Sequence, residues 1–145
     1  MREMKTAQLI GPALDWAVAK IEGYQCFINH DAFGPGEHEV VYVNGETGDW
    51  HHNGNWRAST NWSQGGPLIE KHDINTIRCN DLYFPKGNEH GDFYEPYWEA
   101  TIDGGTDAGI PLYKTYGPTP LIAAMRCLVD AKLGDTVQIP SELIQ

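Results

Sequence analysis

Two helical patterns, one near each end of the chain, most limit the folds that this sequence can adopt. From Pro12 to Glu22 apolar residues recur at helical spacing, and the proline suits the first helical position. After Thr119, a good N-cap, a second apolar stripe begins and it ends before Gly134. The sequence therefore predicts helices over residues 12–22 and 120–132. Their predicted core residues are Leu14, Val18, Ile21, Leu121, Met125 and Leu128.

Short strand patterns separated by turn-forming residues lie between and after these helices. Residues 44–66 are rich in Gly, Asn and Trp and sustain no period of either kind, and residues 80–95 are acidic and rich in turn-forming residues. Both patterns predict long, exposed loops. The fold class expected is α+β, with a small, mostly antiparallel sheet on which the N-terminal and C-terminal helices pack. The predicted strands lie at residues 25–28, 39–43, 68–69, 74–78, 97–102, 113–116 and 137–139.

The composition is that of one acidic globular domain. The chain has 145 residues, of which 41% are hydrophobic, so residues 1–145 are long enough to bury a single core. Twenty acidic side chains against ten basic ones produce a net charge of −10. Binding to nucleic acid, which depends on many Lys and Arg residues, is therefore not expected. No apolar stretch is long enough to span a membrane or to direct export, so no membrane partner is expected either.

Three segments of the chain carry a family resemblance. They read TAQLIGPALDWAVAKIEG (residues 6–23), STNWSQGGPLIE (59–70) and YGPTPLIAAMRCLVDAKLGD (116–135), and Trp98-Glu99-Ala100 looks like a weaker W-x-A element. In this order they resemble the NinX-like family of small phage and prophage proteins, although residues 24–56 and 79–95 are longer and richer in His and Asp than the family pattern. The resemblance implies one NinX-like domain of phage origin that acts in the cytoplasm of an infected bacterium. It implies no established activity.

The middle segment combines a tryptophan with short polar residues and two glycines. Its polar side chains can hydrogen-bond a ligand, its glycines let backbone N–H groups come close, and Trp62 offers a flat apolar face. This combination predicts a loop that binds a small, planar, polar ligand such as a nucleotide. The alternative is two ordinary turns with Trp62 as a plug in the core. The candidate ligand-binding residues here are Ser59, Thr60, Asn61, Trp62, Gln64, Gly65 and Gly66.

The start of the second helix is the other half of the candidate site. The free N–H groups and the positive dipole end of a helix attract an anion, so Tyr116, Thr119 and Arg126 complete the predicted ligand-binding set. The alternative is ordinary helix capping, with Arg126 solvated or ion-paired. The sharper hypothesis is one pocket formed jointly by this helix start and residues 61–66.

Patterns for metal binding and catalysis are weak in this sequence. Paired histidines such as His51-His52 lack the spacing of a known metal motif, and the three cysteines form no C-x-x-C pair. No G-x-S-x-G elbow is present, and the many acidic residues make chance pairs of carboxylates common. The sequence therefore predicts no catalytic residue, no metal site and no cofactor, and the cysteine usage favours a reduced, cytoplasmic environment.

The function expected is that of a phage accessory protein acting in the infected host cell. The first hypothesis is a non-enzymatic binding module that captures a small polar or nucleotide-like ligand, for instance a host defence signal. The second is an acidic adaptor or inhibitor that binds a host or phage protein through exposed tryptophans. A small enzyme is the third. A symmetric homo-oligomer is the default expectation for its assembly.

Overall fold

The α+β class is confirmed by the computed structural model, which describes residues 1–52, 54–79, 97–103 and 111–144. In this part of the chain the helices are α1 (Gly11–Ile21), α2 (Trp62–Lys71) and α3 (Pro120–Leu133). The strands are β1 (Arg2–Lys5), β2 (Tyr24–Asn29), β3 (Glu39–Asn44), β4 (Trp50–His52), β5 (Ile74–Cys79), β6 (Tyr97–Asp103), β7 (Pro111–Gly117) and β8 (Thr136–Ile139). None of the helices in these ranges is long and apolar enough to cross a membrane.

The strands form three small antiparallel sheets, as the small antiparallel character predicts, although they are divided where the sequence suggests a single sheet. Strands β2, β3 and β4 form one three-stranded sheet, β5, β6 and β7 form another, and β1 pairs with β8. Helix α2, which was not predicted, separates the two three-stranded sheets in the chain. Helix α1 packs on β2 and β8, whereas α3 packs on β5, β6 and β7 and against α1. The contact between α1 and α3 thus joins these sheets.

The core residues predicted for α1 and α3 are confirmed. Leu14 and Val18 of α1 and Met125 and Leu128 of α3 are fully buried, and Leu121 is nearly so. Ile21 is partly buried and packs against the same cluster. Helix α3 is buried on every side from Leu121 to Val129, because a sheet, α1 and α2 all pack around it.

Residues 62–71 are helical, which corrects two predictions. The expected strand at 68–69 lies inside α2, and the expected loop at 44–66 contains β4 and the start of that helix. The helix begins after Asn61, whose side chain accepts a hydrogen bond from the Ser63 N–H. Two glycines and a proline lower the intrinsic helix propensity, so the sequence suggested a turn, and packing of the buried Leu68 outweighs that preference. The loop predicted at 80–95 lies outside the described residues.

Candidate functional site

A buried aspartate ties the middle segment to the first helix. The Ser59 N–H donates to Asp15 Oδ1 at 2.8 Å, and Trp56 Nε1 donates to the Asp15 backbone carbonyl at 2.8 Å. Asp15 is only 4% exposed, although it carries a carboxyl group. Burial raises the pKa of this carboxyl, while the two hydrogen-bonding groups of Ser59 and the charge of Arg57 act in the opposite direction. Asp15 therefore fixes the segment that precedes α2 against α1.

The predicted polar residues Asn61 and Gln64 hold the same segment from its other side. Gln64 Oε1 accepts from the Arg57 N–H at 2.6 Å, and Gln64 Nε2 donates to the Asn55 carbonyl at 2.6 Å. Asn61 caps α2. These amide groups satisfy backbone donors and acceptors that would otherwise lack partners in a segment without regular structure. The polar residues of the middle motif thus tie residues 55–57 to the first turn of α2.

The two glycines and the tryptophan of this motif lie within α2. Gly65 is buried and approaches the Ala58 carbonyl and the Leu121 side chain so closely that no Cβ fits there. Gly66 lies one turn along the helix from Trp62, whose ring would meet a Cβ at 3.4 Å. The Trp62 side chain is 57% exposed, so the alternative in which it plugs the core is wrong. Its role as a wall for a ligand stays a prediction.

Trp62 and Gly66 line a shallow groove between α2 and the β5 edge. This groove has a volume of about 620 Å³, and its other lining residues include the acidic side chains Glu70, Asp73 and Asp103. Carboxylates repel an anionic group, and none of the described residues that line this groove is basic, so the groove suits a phosphate-bearing ligand poorly.

The three ligand-binding residues predicted around the start of α3, which are Tyr116, Thr119 and Arg126, contact other parts of the protein. Arg126 is 4% exposed; its Nε donates to the Leu9 carbonyl at 2.9 Å and its Nη1 to the Tyr116 carbonyl at 2.8 Å. Burial lowers the pKa of this guanidinium to about 10. The Thr119 hydroxyl accepts from the Ile122 N–H at 3.1 Å and so caps α3. The Tyr116 ring lies 5.7 Å from that of Tyr97, between centroids, and burial raises the pKa of the Tyr116 hydroxyl.

A separate cavity lies where α1, residues 54–60, β3 and a C-terminal turn (Ser141–Leu143) meet. Its volume is about 420 Å³. We call it the α1 pocket; of the predicted site residues, Thr60 lies in its wall, and the sequence reasoning missed its other members. The polar and aromatic side chains of its wall include Asp15, Tyr42, Trp56, Arg57, Thr60 and Glu142.

Contacts with residues outside the cavity hold the walls of the α1 pocket in place. The Trp56 ring lies 5.0 Å from the Tyr24 ring and 5.2 Å from the His51 ring, between centroids. Glu142 Oε2 lies 2.6 Å from His30 Nε2, which connects the C-terminal turn to the loop between β2 and β3. Burial raises the pKa of Tyr42, so its phenol stays neutral. The pocket thus combines rigid aromatic rings, a buried carboxyl group and an exposed guanidinium.

Metal binding receives no geometric support in the described ranges. No group of three or more His, Cys, Asp or Glu side chains is arranged there to hold a metal ion.

Comparison with known proteins supports the family resemblance. The family model described as Bacteriophage P22, NinX matches residues 5–132, which is most of the chain and includes the first two resembling segments and nearly all of the third. No curated protein matches the chain. Buried contacts join these segments, since Asp15 bonds to Ser59, Gly65 packs on Leu121, and Arg126 bonds to Leu9. The chain belongs to the phage P22 NinX family.

Proposed function

We propose that this protein is a phage accessory protein that captures a small nucleotide-like ligand in the α1 pocket and does no chemistry on it. The observation that carries the proposal is the composition of one cavity wall, in which Trp56 and Tyr42 stand beside the buried Asp15 and the cationic Arg57. Ligand sites in proteins are mostly apolar and aromatic, with a few polar groups that converge on the ligand.

The size and stiffness of the α1 pocket support a small ligand. Its volume of about 420 Å³ lies within the range of roughly 300–1,000 Å³ that small-molecule sites occupy. Trp56 is fixed through its indole N–H to the Asp15 carbonyl, so the ring needs no ordering when a ligand arrives. A planar ring suits these aromatic walls, and the exposed Arg57 suits an anionic group at the mouth.

Capture is favoured over catalysis by the state of the polar groups in the pocket. Asp15 already accepts the Ser59 N–H, Glu142 is paired with His30, and Tyr42 is held in its neutral form. These groups can recognise a ligand. The hydroxyl of Ser59 interacts with Asp15 and the thiol of Cys26 with Tyr42, but neither Ser59 nor Cys26 lines the α1 pocket, so no nucleophile of these pairs faces a bound ligand. In an infected cell, tight capture would lower the free concentration of a host nucleotide signal. A homo-oligomer remains part of this proposal, and native mass spectrometry would count the subunits.

Thermal melts of three forms of the protein test the proposal. We expect a nucleotide panel to raise the wild-type melting temperature, because a ligand at one hundred times its Kd stabilises the folded state by about 2.7 kcal/mol. Arg57→Ala should weaken binding roughly tenfold to a hundredfold, since it removes a charged hydrogen-bond donor worth about 1.5–3 kcal/mol. Trp62→Ala is the matched control, because Trp62 is also exposed but lines the other groove.

Two outcomes of these melts would contradict the proposal. A wild-type protein that no nucleotide stabilises would remove the basis for ligand capture. A shift that survives in Arg57→Ala but vanishes in Trp62→Ala would place the ligand at the Trp62 wall that the sequence predicts.

A protein-binding surface is the second candidate function. Phe27 is 51% exposed and Trp50 is 64% exposed. Phe27 pairs in register with Val41, and Trp50 pairs with Val43, so the four side chains lie on one face of the β2–β3–β4 sheet. Exposed aromatic side chains beside aliphatic ones are frequent anchors at interfaces, and the net charge of −10 suits a basic partner.

Replacing both aromatic residues of this face tests the second candidate. We expect Phe27→Ser with Trp50→Ser to stay folded, because both side chains are exposed, and to lose any basic protein that wild type retains from infected cells. Trp62→Ser serves as a control with an exposed tryptophan on α2. Recovery of the same partner in equal amount by the double variant would exclude this face as the docking surface.

A further inference from the structure

The buried carboxyl group of Asp15 has hydrogen-bonding capacity that the protein does not use. A carboxylate offers two oxygens with about four lone-pair sites. Among the described residues, Ser59 supplies the close donors to this carboxyl group: its N–H lies 2.8 Å from Oδ1, and its buried hydroxyl also acts on the carboxyl and lowers its pKa. These contacts leave part of the four lone-pair sites unused. Asp15 also lines the α1 pocket. A ligand in this pocket therefore meets an acceptor that is almost fully withdrawn from water.

A buried acceptor restricts which chemical groups of a ligand can bind beside it. A buried polar group that lacks a hydrogen bond is costly, so a ligand that presents donors to Asp15 binds well, and one that presents an acceptor is rejected. The partner should be a neutral donor group rather than a cation, because the charge of Arg57 is close enough to act on Asp15 and would repel a second cation. An anionic group elsewhere on the same ligand would suit Arg57.

Guanine presents neutral hydrogen-bond donors to a carboxylate better than the other nucleobases do. The base-pairing edge of guanine carries two adjacent donors, the N1–H and the exocyclic amine, which match the two oxygens of a carboxylate. Adenine places a donor beside a ring acceptor, and that acceptor would face the carboxylate. Apolar contact with the aromatic walls of the pocket does not distinguish the bases, because every base has a π-face. The preference among nucleobases therefore depends on Asp15.

Resting on the function proposed above, we infer that the α1 pocket takes a guanine-type nucleotide, with Asp15 reading the base and Arg57 facing the phosphate. Asp15 is thus the specificity-determining residue of the pocket. The bond from the Ser59 N–H fixes the orientation of the carboxyl group, and the buried Trp56 contributes a rigid apolar part of the wall beside the base.

Calorimetric titration with four nucleoside monophosphates tests the inference on the wild-type protein. Guanosine monophosphate should bind roughly tenfold to a hundredfold more tightly than adenosine monophosphate, the range expected for a two-point contact to a base edge. Inosine monophosphate, which lacks the exocyclic amine, should bind more weakly than the guanosine form. Xanthosine monophosphate, which replaces that amine with a carbonyl, should bind weakly because its oxygen faces the carboxylate.

The Asp15→Asn variant should reverse this preference. Its side-chain oxygen can still accept the Ser59 N–H, which preserves the contact that holds the segment, while its amide offers a donor to the xanthine carbonyl. We expect the variant to prefer xanthosine monophosphate over guanosine monophosphate. Asp49→Asn, the same chemical change at an exposed turn residue, should keep the wild-type order.

The ways in which this inference can fail are distinguishable. Equal affinity of the wild type for guanosine and adenosine monophosphates would overturn the role of Asp15 and leave nucleotide capture standing. Binding of none of the four would overturn the proposed function together with the inference. If Asp15→Asn does not fold, the order of the four ligands on wild type still decides the question.

Discussion

Gly65→Ala is expected to lower the free energy of unfolding by about 3 kcal/mol, at the upper end of the range for overpacked interiors. An added Cβ would lie 2.1 Å from the Ala58 carbonyl oxygen and 3.0 Å from Leu121 Cδ1. The first neighbour is backbone that Ser59 and Asp15 hold in place, so it cannot move aside cheaply. For a chain of this length the melting temperature should fall by roughly 6–12 °C, which calorimetry would measure.

Gly66→Ala is the matched control for this prediction. At that position the nearest atom to an added Cβ is a carbon of the Trp62 ring at 3.4 Å, on an exposed side chain that can shift. Alanine also favours a helix over glycine by about 1 kcal/mol. Stability should therefore stay unchanged or rise slightly. Equal losses in the two variants would mean that α2 does not pack on Ala58 as closely as the structure has it.

These two glycines show why the middle motif was the hardest part of the sequence to interpret. A Gly-Gly-Pro run has low helix propensity, and taken alone it indicates a turn. In the structure a glycine is needed at position 65 because α2 passes close to the backbone of Ala58, where a side chain would not fit. The backbone conformation of Gly65 is that of an ordinary helix. The closest contact is with the Ala58 carbonyl, seven residues earlier, and the next is with Leu121, which is distant in the chain. The Gly-Gly-Pro pattern itself carries no record of either contact.

The elements that were predicted correctly are those whose causes are local. Helix α3 begins with a Thr119 cap and a proline and carries an apolar stripe, and each of these signals lies within the helix or next to it. Strands β2 and β3 are consecutive in the chain and pair with each other, and each carries its own strand pattern. The division into three sheets depends on how α2 and α3 pack, which the spacing of residues within each element does not determine.

The candidate site could be predicted only in part, for the same reason. Asp15 is one signal that sequence reasoning could have used, because it is an acidic residue inside the apolar run from Ala13 to Ala19 and must therefore be buried. Trp56 and Arg57 gave no such signal. They reach the pocket through hydrogen bonds to Asp15 and Gln64, and the contact of Trp56 with Asp15 spans 41 residues of sequence. Of the predicted residues, Thr60 reaches this pocket, and the ligand-binding role of all of them stays a prediction.

Arg126→Met is expected to lower the free energy of unfolding by about 3–4 kcal/mol, because two buried hydrogen bonds are lost. Arg126 joins the segment before α1 to the end of β7 through the carbonyls of Leu9 and Tyr116. Hydrogen bonds from a charged donor contribute about 1.5–3 kcal/mol each, and methionine fills much of the same volume but donates none. Removal of the buried charge recovers part of its desolvation cost, which keeps the expected loss below the sum of the two bonds.

Two further variants separate the role of Arg126 from a general effect of charge. Arg126→Lys keeps the cation but lacks the planar fork that reaches two carbonyls at once, so an intermediate loss is expected. Lys132→Met removes an exposed cation from the last turn of the same helix and should cost less than about 1 kcal/mol. Urea denaturation of the four forms without any ligand is the measurement. A loss below about 1 kcal/mol for Arg126→Met would contradict the structural role and return Arg126 to the anion-binding role that the sequence predicts, because a guanidinium kept for a ligand contributes little to the stability of the empty protein.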